Sequence, residues 1–232
     1  MAILRLLSRF PDGLGVSAVA NTTSIPLASA HRLLQALLEE GMVRKHRGRY
    51  IAADNTAAIT IDRRERRIRV VARPWILELY NRSRHPVSLA VEAGRMARYI
   101  DSLYPKSLTD VILATSPEAP LHCTAVGKTL LAHSPPLASE YLSQNRLHSL
   151  TNHSITRPEL LESALAQVRL RGFAVEFGEH VTGFASVSVP VLSASGTAYA
   201  AVSVAGPVRS FQPAPFIDVL RHTATNMAAT LN

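Results

Sequence analysis

Apolar positions in the first forty residues recur at spacings of three and four. Ile3, Leu4, Leu6, Leu7 and Phe10 make one short helical face, and Pro11-Asp12-Gly13 closes it with turn chemistry. Val16, Val19 and Ala20 mark a second short helix that stops in the polar run Asn21-Thr22-Thr23-Ser24. A third helix is predicted from near Pro26, where a missing N–H is harmless, to about Glu40, with Gly41 as its stop. Its apolar stripe is Ala30, Leu33, Leu34, Leu37 and Leu38. The period then changes. Met42 to Ile51 reads as a two-stranded hairpin whose apolar ends, Val43 and Ile51, bracket a basic tip containing Gly48. Residues 56–73 are helix-compatible and dense in charge, which predicts a linker helix.

From Pro74 the pattern is mixed. Pro74 to Ser83 is predicted helical through Ile76, Leu77, Leu79 and Tyr80. Val87, Leu89 and Val91 alternate as a half-buried strand does, with Met96–Ile100 as its hairpin partner beyond Gly94. Val111–Ala114 is a short apolar run, and a helix is predicted over 124–132 with Thr124 as N-cap. Thr156-Arg157-Pro158-Glu159 carries the spacing of a capping box, and the helix behind it runs to Gly172. Phe184–Leu192 and Ala198–Ala205 alternate around the turn Ser193-Ala194-Ser195-Gly196. A last helix is predicted from Ala214 to Leu231. This order predicts an α+β chain in three parts: 1–55, a linker helix at 56–73, and an α/β domain with an antiparallel sheet at 74–232.

Charge separates the parts. Residues 1–85 hold 15 Lys+Arg and 7 Asp+Glu, a net of +8, whereas residues 86–232 hold 10 of each. A basic module joined to a neutral one points to a polyanion partner for the first alone; a basic surface kept for solubility is the bland alternative. On the third helix Ser29, His31, Arg32 and Gln35 lie off the apolar stripe, where a recognition helix presents side chains to base edges of double-stranded DNA. An ordinary amphipathic helix shows the same pattern. The hairpin cations Arg44, Lys45, Arg47 and Arg49 tip the balance, because a basic wing behind three short helices suits phosphate contact. The linker arginines read either as a solvated face or as contacts to flanking phosphates or a partner subunit.

Other chemistries find little support. Gly127-Lys128-Thr129 imitates the end of a phosphate-binding loop, but position 122 is His where that loop needs Gly. The nine histidines and Cys123 show no metal-ligand spacing, so no metal or cofactor is expected. A single cysteine excludes an internal disulfide and fits a reducing, cytoplasmic setting. Arg5, Arg9 and Asp12 among the first apolar residues predict no secretory leader, and no apolar run is long enough to span a bilayer. A hydrolase using Ser or Cys123 lacks a nucleophile–base spacing. Ser186 and Ser188 share one side of their strand, and Ala201, Ser203 and Ala205 share one side of the next. That small-residue face is either a ligand pocket or a surface for close helix packing.

Ile25-Pro26-Leu27-Ala28-Ser29-Ala30-His31-Arg32-Leu33-Leu34 is similar to the recognition-helix segment of the IclR family of bacterial transcription regulators. Leu121-His122-Cys123-Thr124-Ala125-Val126-Gly127-Lys128 resembles that family's Leu-His-x-Thr-Ala-x-Gly-Lys signature. The stretches Ile155 to Ala174 and Ala201 to Pro207 match it in the same order. The resemblance implies a winged helix-turn-helix, a GAF-like effector domain, a homodimer often paired into a tetramer, and control by a small, commonly carboxylate-bearing metabolite. Such a dimer reads a pseudo-palindromic operator. By position the resemblance places Val111, Ala119, Ala125, Val126, Glu176, Phe184, Ser186 and Ser203 around the effector. Ala125 and Val126 begin the helix whose free N–H groups suit a carboxylate. The chain departs from the family where Leu27 replaces a basic residue, Glu176 an Asp, Phe184 a smaller aliphatic, Ser186 a Cys and Ala205 a Ser. Glu176 and Phe184 shrink or reshape the cavity, which leaves the effector unnamed. Leu27 and the arginine-dense linker keep open an adaptor that has lost DNA affinity.

Overall fold

The computed structural model describes residues 2–10, 12–53, 63–108, 116–144 and 147–231, Arg63 through its backbone only. The chain divides into two compact units. The first holds the described residues up to Arg67 with 107–108 and 116–117; the second holds the rest.

The first unit contains α1 (Ala2–Ser8), α2 (Val16–Thr23), α3 (Leu27–Glu39) and the antiparallel hairpin β1 (Val43–His46) and β2 (Arg49–Ala52). Leu7, Phe10, Leu14, Val19, Ala30, Leu34, Val43 and Tyr50 form its buried core. α2 ends at Ser24, which is left-handed (φ 54°), and the Ile25 N–H returns to the Ala20 carbonyl at 3.1 Å. Pro26, in extended geometry, then opens α3. At the far end of α3 the Met42 N–H reaches the Leu37 carbonyl (2.8 Å) and the Gly41 N–H reaches Leu38 (3.0 Å), a Schellman closure. The expected apolar stripe of α3 is narrower than its sequence. Only Ala30 and Leu34 are buried; Leu33 is 47% exposed, and Leu37 and Leu38 are half-buried. Among the described residues α3 packs mainly against α2 and β1, and a unit this small has little further surface to cover it. The hairpin turns on Arg47 (φ 48°) and Gly48 (φ 78°), the two left-handed residues a type I′ turn demands.

The helices expected at 56–73 and Pro74–Ser83 are one helix from Arg63, α4 (Arg63–Ser83), with Pro74 inside it, and from Ile68 on it belongs to the second unit; residues 56–62 lie outside the described residues. Proline removes one N–H, and the buried stripe Ile68, Ala72, Ile76 and Leu79 carries the helix across it. Six antiparallel strands follow: β3 (Val87–Ala93), β4 (Met96–Leu103), β5 (Glu118–Pro120), β6 (Ala174–Phe177), β7 (Phe184–Leu192) and β8 (Ala198–Pro207). Their spatial order is β5-β4-β3-β8-β7-β6. One sheet face, rich in valine (Val87, Val187, Val189, Val202, Val204), packs with α4 and with α8 (Ala214–Leu231). The other, built from Ala90, Ala97, Ala174 and Ala201, packs with α5 (Ala125–Ala132), α6 (Pro135–Leu142) and α7 (Pro158–Arg171).

β5 and β6, being short, were not expected from the sequence pattern, nor was α6. The capping box at α7 does not form. Pro158 opens the helix, so Arg157 is the N-cap and Glu159 sits one place too early to reach back. The Thr156 carbonyl accepts the Leu147 N–H at 3.0 Å instead. Among the described residues no helix is long and apolar enough to cross a membrane.

Candidate nucleic-acid interface and effector site

The third helix keeps its polar face outward. His31, Arg32 and Gln35 are exposed and Ser29 is half-buried. Gln35 donates through Nε2 to Glu39 Oε1 at 3.3 Å, one turn on. The hairpin register sorts the wing. Lys45 pairs with Tyr50, and its Nζ lies 5.2 Å from the centre of that ring, so an apolar core residue carries the cation outward. Arg44 pairs with Ile51 and His46 with Arg49, which places Arg44, His46 and Arg49 on the opposite face. Arg49 is partly committed inside the unit, its Nε donating to the Gly13 carbonyl at 2.9 Å. Arg47 stands at the exposed tip. His46 was missed from the sequence; its alternation with Arg44 is the signal that would have found it.

In the second unit a 3₁₀ turn over Leu121–Cys123 leads into α5. Thr124 caps that helix, its Oγ1 accepting the Gly127 N–H at 3.0 Å. Gly127 faces the Leu121 backbone so closely that a Cβ there would lie 2.3 Å from the Leu121 carbonyl oxygen. Glycine is needed for packing at this place, not for cradling phosphate. Lys128, next in line, is buried, and its Nζ meets Glu179 Oε1 at 2.6 Å. The Glu179 N–H donates to Glu176 Oε2, and Ser186 Oγ donates to Glu176 Oε1, both at 3.0 Å. Thr151 Oγ1 and Ser154 Oγ donate to the Gly178 and Glu179 carbonyls at 2.7 and 2.6 Å and hold this loop in place. Burial pushes the Glu176 carboxyl up to about 7 despite those two hydrogen bonds. Burial also lowers the His180 imidazole.

Of the residues expected around an effector, Glu176 and Ser186 are directly bonded. Phe184 shares their face of β7, and Ala205 stands opposite Ser186. Ser203 lies one pair further on, opposite Ser188. Ala125 and Val126 form the buried first turn of α5. Ala119 is on β5, opposite Ala97 and at the other edge of the sheet from Glu176. Val111 lies outside the described residues. The small-residue face divides in two. Ala201, Ser188 and Ser203 are buried on the side of the sheet that α5 covers, whereas Ser186 and Ala205 stay half-buried beside the Glu176 carboxylate. Lys128 and Glu179 were missed; a lysine inside the apolar run Ala125-Val126-Gly127-Lys128-Thr129-Leu130-Leu131 is the visible sign of a buried charge.

His122 is a satisfied core residue. The His148 carbonyl can only accept, so Nε2 donates to it (2.8 Å) and Nδ1 takes the Tyr141 hydroxyl (2.9 Å). Burial pushes the Cys123 thiol up to about 12, which leaves it neutral and unreactive.

Comparison with known proteins meets this geometry at both ends. The IclR helix-turn-helix domain model matches residues 1–47, and the bacterial transcriptional regulator IclR C-terminal model matches residues 62–229. A glycerol operon regulatory protein of Streptomyces griseus is 31% identical over 217 residues, spanning 91% of this chain and 84% of its own. The crystal structure of the Thermotoga maritima IclR superposes with a TM-score of 0.71 at 28% identity, over 99% of this chain and 95% of that one. An IclR homologue from Microbacterium hydrocarbonoxydans, crystallised with 4-hydroxybenzoate, shares the fold with a TM-score of 0.68 at 23% identity, over 99% and 97% of the two chains. With a DNA-binding helix-turn-helix in its first unit and an effector-binding α/β domain in its second, this chain belongs to the IclR family of bacterial transcriptional regulators.

Proposed function

We propose that the protein binds a pseudo-palindromic operator as a homodimer, which can pair into a tetramer, and that a small carboxylate-bearing metabolite controls this binding. Arg32 and Gln35 read base edges in the major groove, with Ser29 and His31 beside them. Arg44, Lys45, Arg47 and the free part of the Arg49 fork hold phosphates. The division of charge carries this reading: exposed cations crowd one unit, and the other encloses its charges at Lys128, Glu176 and Glu179.

The effector's carboxylate meets the first-turn N–H groups of Ala125 and Val126, and its remainder faces Phe184, Ser186 and Glu176. Ser203 borders the site from the sheet, whereas Ala119 lies at the sheet edge far from Glu176. A Glu176 carboxyl poised near 7 is protonated in part at neutral pH and then donates a hydrogen bond to an effector oxygen. The aromatic acid held by the Microbacterium homologue is consistent with this class of ligand. The protein acts by binding and not by turnover; Cys123 is neutral and His122 is engaged on both nitrogens.

Two measurements test the reading. Fluorescence anisotropy with fragments of the source genome at fixed salt should find one that binds at least a thousandfold more tightly than mixed-sequence DNA. A melting-temperature screen of small carboxylic acids should find one that stabilises the folded protein in proportion to its concentration. Equal affinity for every fragment defeats the regulator reading, and no stabilisation by any acid defeats the proposed effector class.

A further inference from the structure

β4 gains one residue against β3: Leu89 pairs with Asp101 and Ala90 with Tyr99, leaving Ile100 as a bulge. The bulge inverts the alternation beyond it. Without it Asp101 would share a face with Ala97 and Tyr99, on the α5 side. With it, Asp101 turns toward α4, and Ser102 turns into a row of serines that crosses four strands on the α5 side. In that row Ser102 pairs with Ser88, Ser88 with Ser203, and Ser203 with Ser188. Ser102 Oγ donates to Ser88 Oγ at 3.1 Å, and Ser203 Oγ donates to the Ser88 carbonyl at 3.5 Å.

Beneath α4, Asp101 meets Arg73: Nη1 and Oδ1 are 2.5 Å apart, with side-chain exposures of 37% and 3%. The other carboxylate oxygen of Asp101 is buried without a hydrogen-bond partner. Arg73 thus balances an enclosed charge. The pair sits at a weak point of the helix. Pro74, the next residue, has no N–H to give the Val70 carbonyl, so α4 lacks an internal bond in this turn. The same helix has residues in both units, those up to Arg67 in the first and those from Ile68 in the second.

We propose that the Arg73–Asp101 pair is the positioning contact through which the effector-binding sheet and the helix leading to the DNA-binding unit sense each other. It rests on the function proposed above. A ligand that shifts the serine row at Ser203 moves β4, and the bulge carries that motion to Asp101 on the opposite face. Asp101 then pulls on Arg73, beside the one turn of α4 that its own hydrogen bonds hold least. Coupling of this kind is reciprocal, so DNA bound to the first unit must in turn alter β4.

That reciprocity allows a test without a known effector. Hydrogen exchange is followed by mass spectrometry on the full chain, free and bound to a mixed-sequence duplex of about 30 base pairs at low salt. In the wild type, the duplex should slow exchange in residues 27–52, and also in 68–73 and 96–103, by threefold or more. In Asp101→Asn the free protein should exchange 68–73 at least tenfold faster, with β7 and β8 unchanged, and duplex protection should stop short of 96–103. The double variant Arg73→Met, Asp101→Leu replaces the pair by apolar contact and should recover the wild-type melting temperature without recovering that protection. A purely structural pair would regain both together. The same β4 protection in all three proteins overturns the proposal, as does wild-type protection confined to 27–52. Loss of protection at 27–52 itself points to failure of the DNA-binding reading.

Discussion

The charges that bear on function are placed differently in the two units of this protein. In the first, Arg32, Arg44, Lys45 and Arg47 stand on the surface around a small apolar core. In the second, Lys128, Glu176, His122 and Asp101 are buried, each with a specific partner. The difference follows from the size of what each must bind. A duplex cannot enter a protein, so its ligands must stay outside and solvated. A small acid can be enclosed, and enclosed charges discriminate because water does not screen them. Removing an outer charge should therefore weaken DNA binding and spare stability; removing an inner one should do the reverse.

The largest effect expected is from Lys128→Met. It leaves the largely enclosed Glu179 without its cation and should cost about 3–5 kcal/mol of stability in chemical denaturation. A loss below about 1 kcal/mol would show that the pair is solvated and the inner-charge argument void. Glu176→Gln sharpens the same side. The folded carboxyl sits at about 7 against an ordinary 4.5. Between those values the folded protein holds more protons than the unfolded chain, so wild-type stability falls as pH rises from about 5 through 7. The total is on the order of 3 kcal/mol, and the glutamine variant should lack this slope. A parallel pH profile for the two proteins would refute the burial of that charge. Gly127→Ala, whose Cβ meets the Leu121 backbone, should cost about 1–3 kcal/mol with no change in DNA affinity per folded molecule.

On the outer side, Arg32→Ala should lose about 1–3 kcal/mol at a specific operator while its melting temperature stays within a degree or two of wild type. Arg47→Ala should weaken specific and random DNA alike and lower the slope of log affinity against log salt by about one. If the two variants respond identically on both kinds of DNA, the separation of base reading on α3 from phosphate binding on the hairpin is lost.

Much of this arrangement was legible beforehand where short-range chemistry decides it. The second and third helices end at Ser24 and Gly41 because turn and cap residues act on their neighbours. The hairpin turns at Arg47-Gly48 because a two-residue turn needs two left-handed residues. β7 and β8, with nine and ten residues, are long enough for alternation around Val187-Ser188-Val189 and Val202-Ser203-Val204 to register. β5 and β6, with three and four residues, are too short for any period to register. The capping pattern at Thr156 misled because Pro158 moves the helix start by one residue, which local spacing alone does not weigh.

The local order of the chain, the side of α3 that remains polar, the basic wing and the neutrality of everything after residue 85 are properties of neighbouring residues, and the sequence alone determines them. Partners distant along the chain are another matter. Lys128 finds Glu179 across fifty-one residues, Arg73 finds Asp101 across twenty-eight, and one bulged isoleucine decides which face Asp101 takes. No periodic pattern carries that information, because burial and charge pairing depend on which strands lie side by side, and only the assembled sheet establishes that.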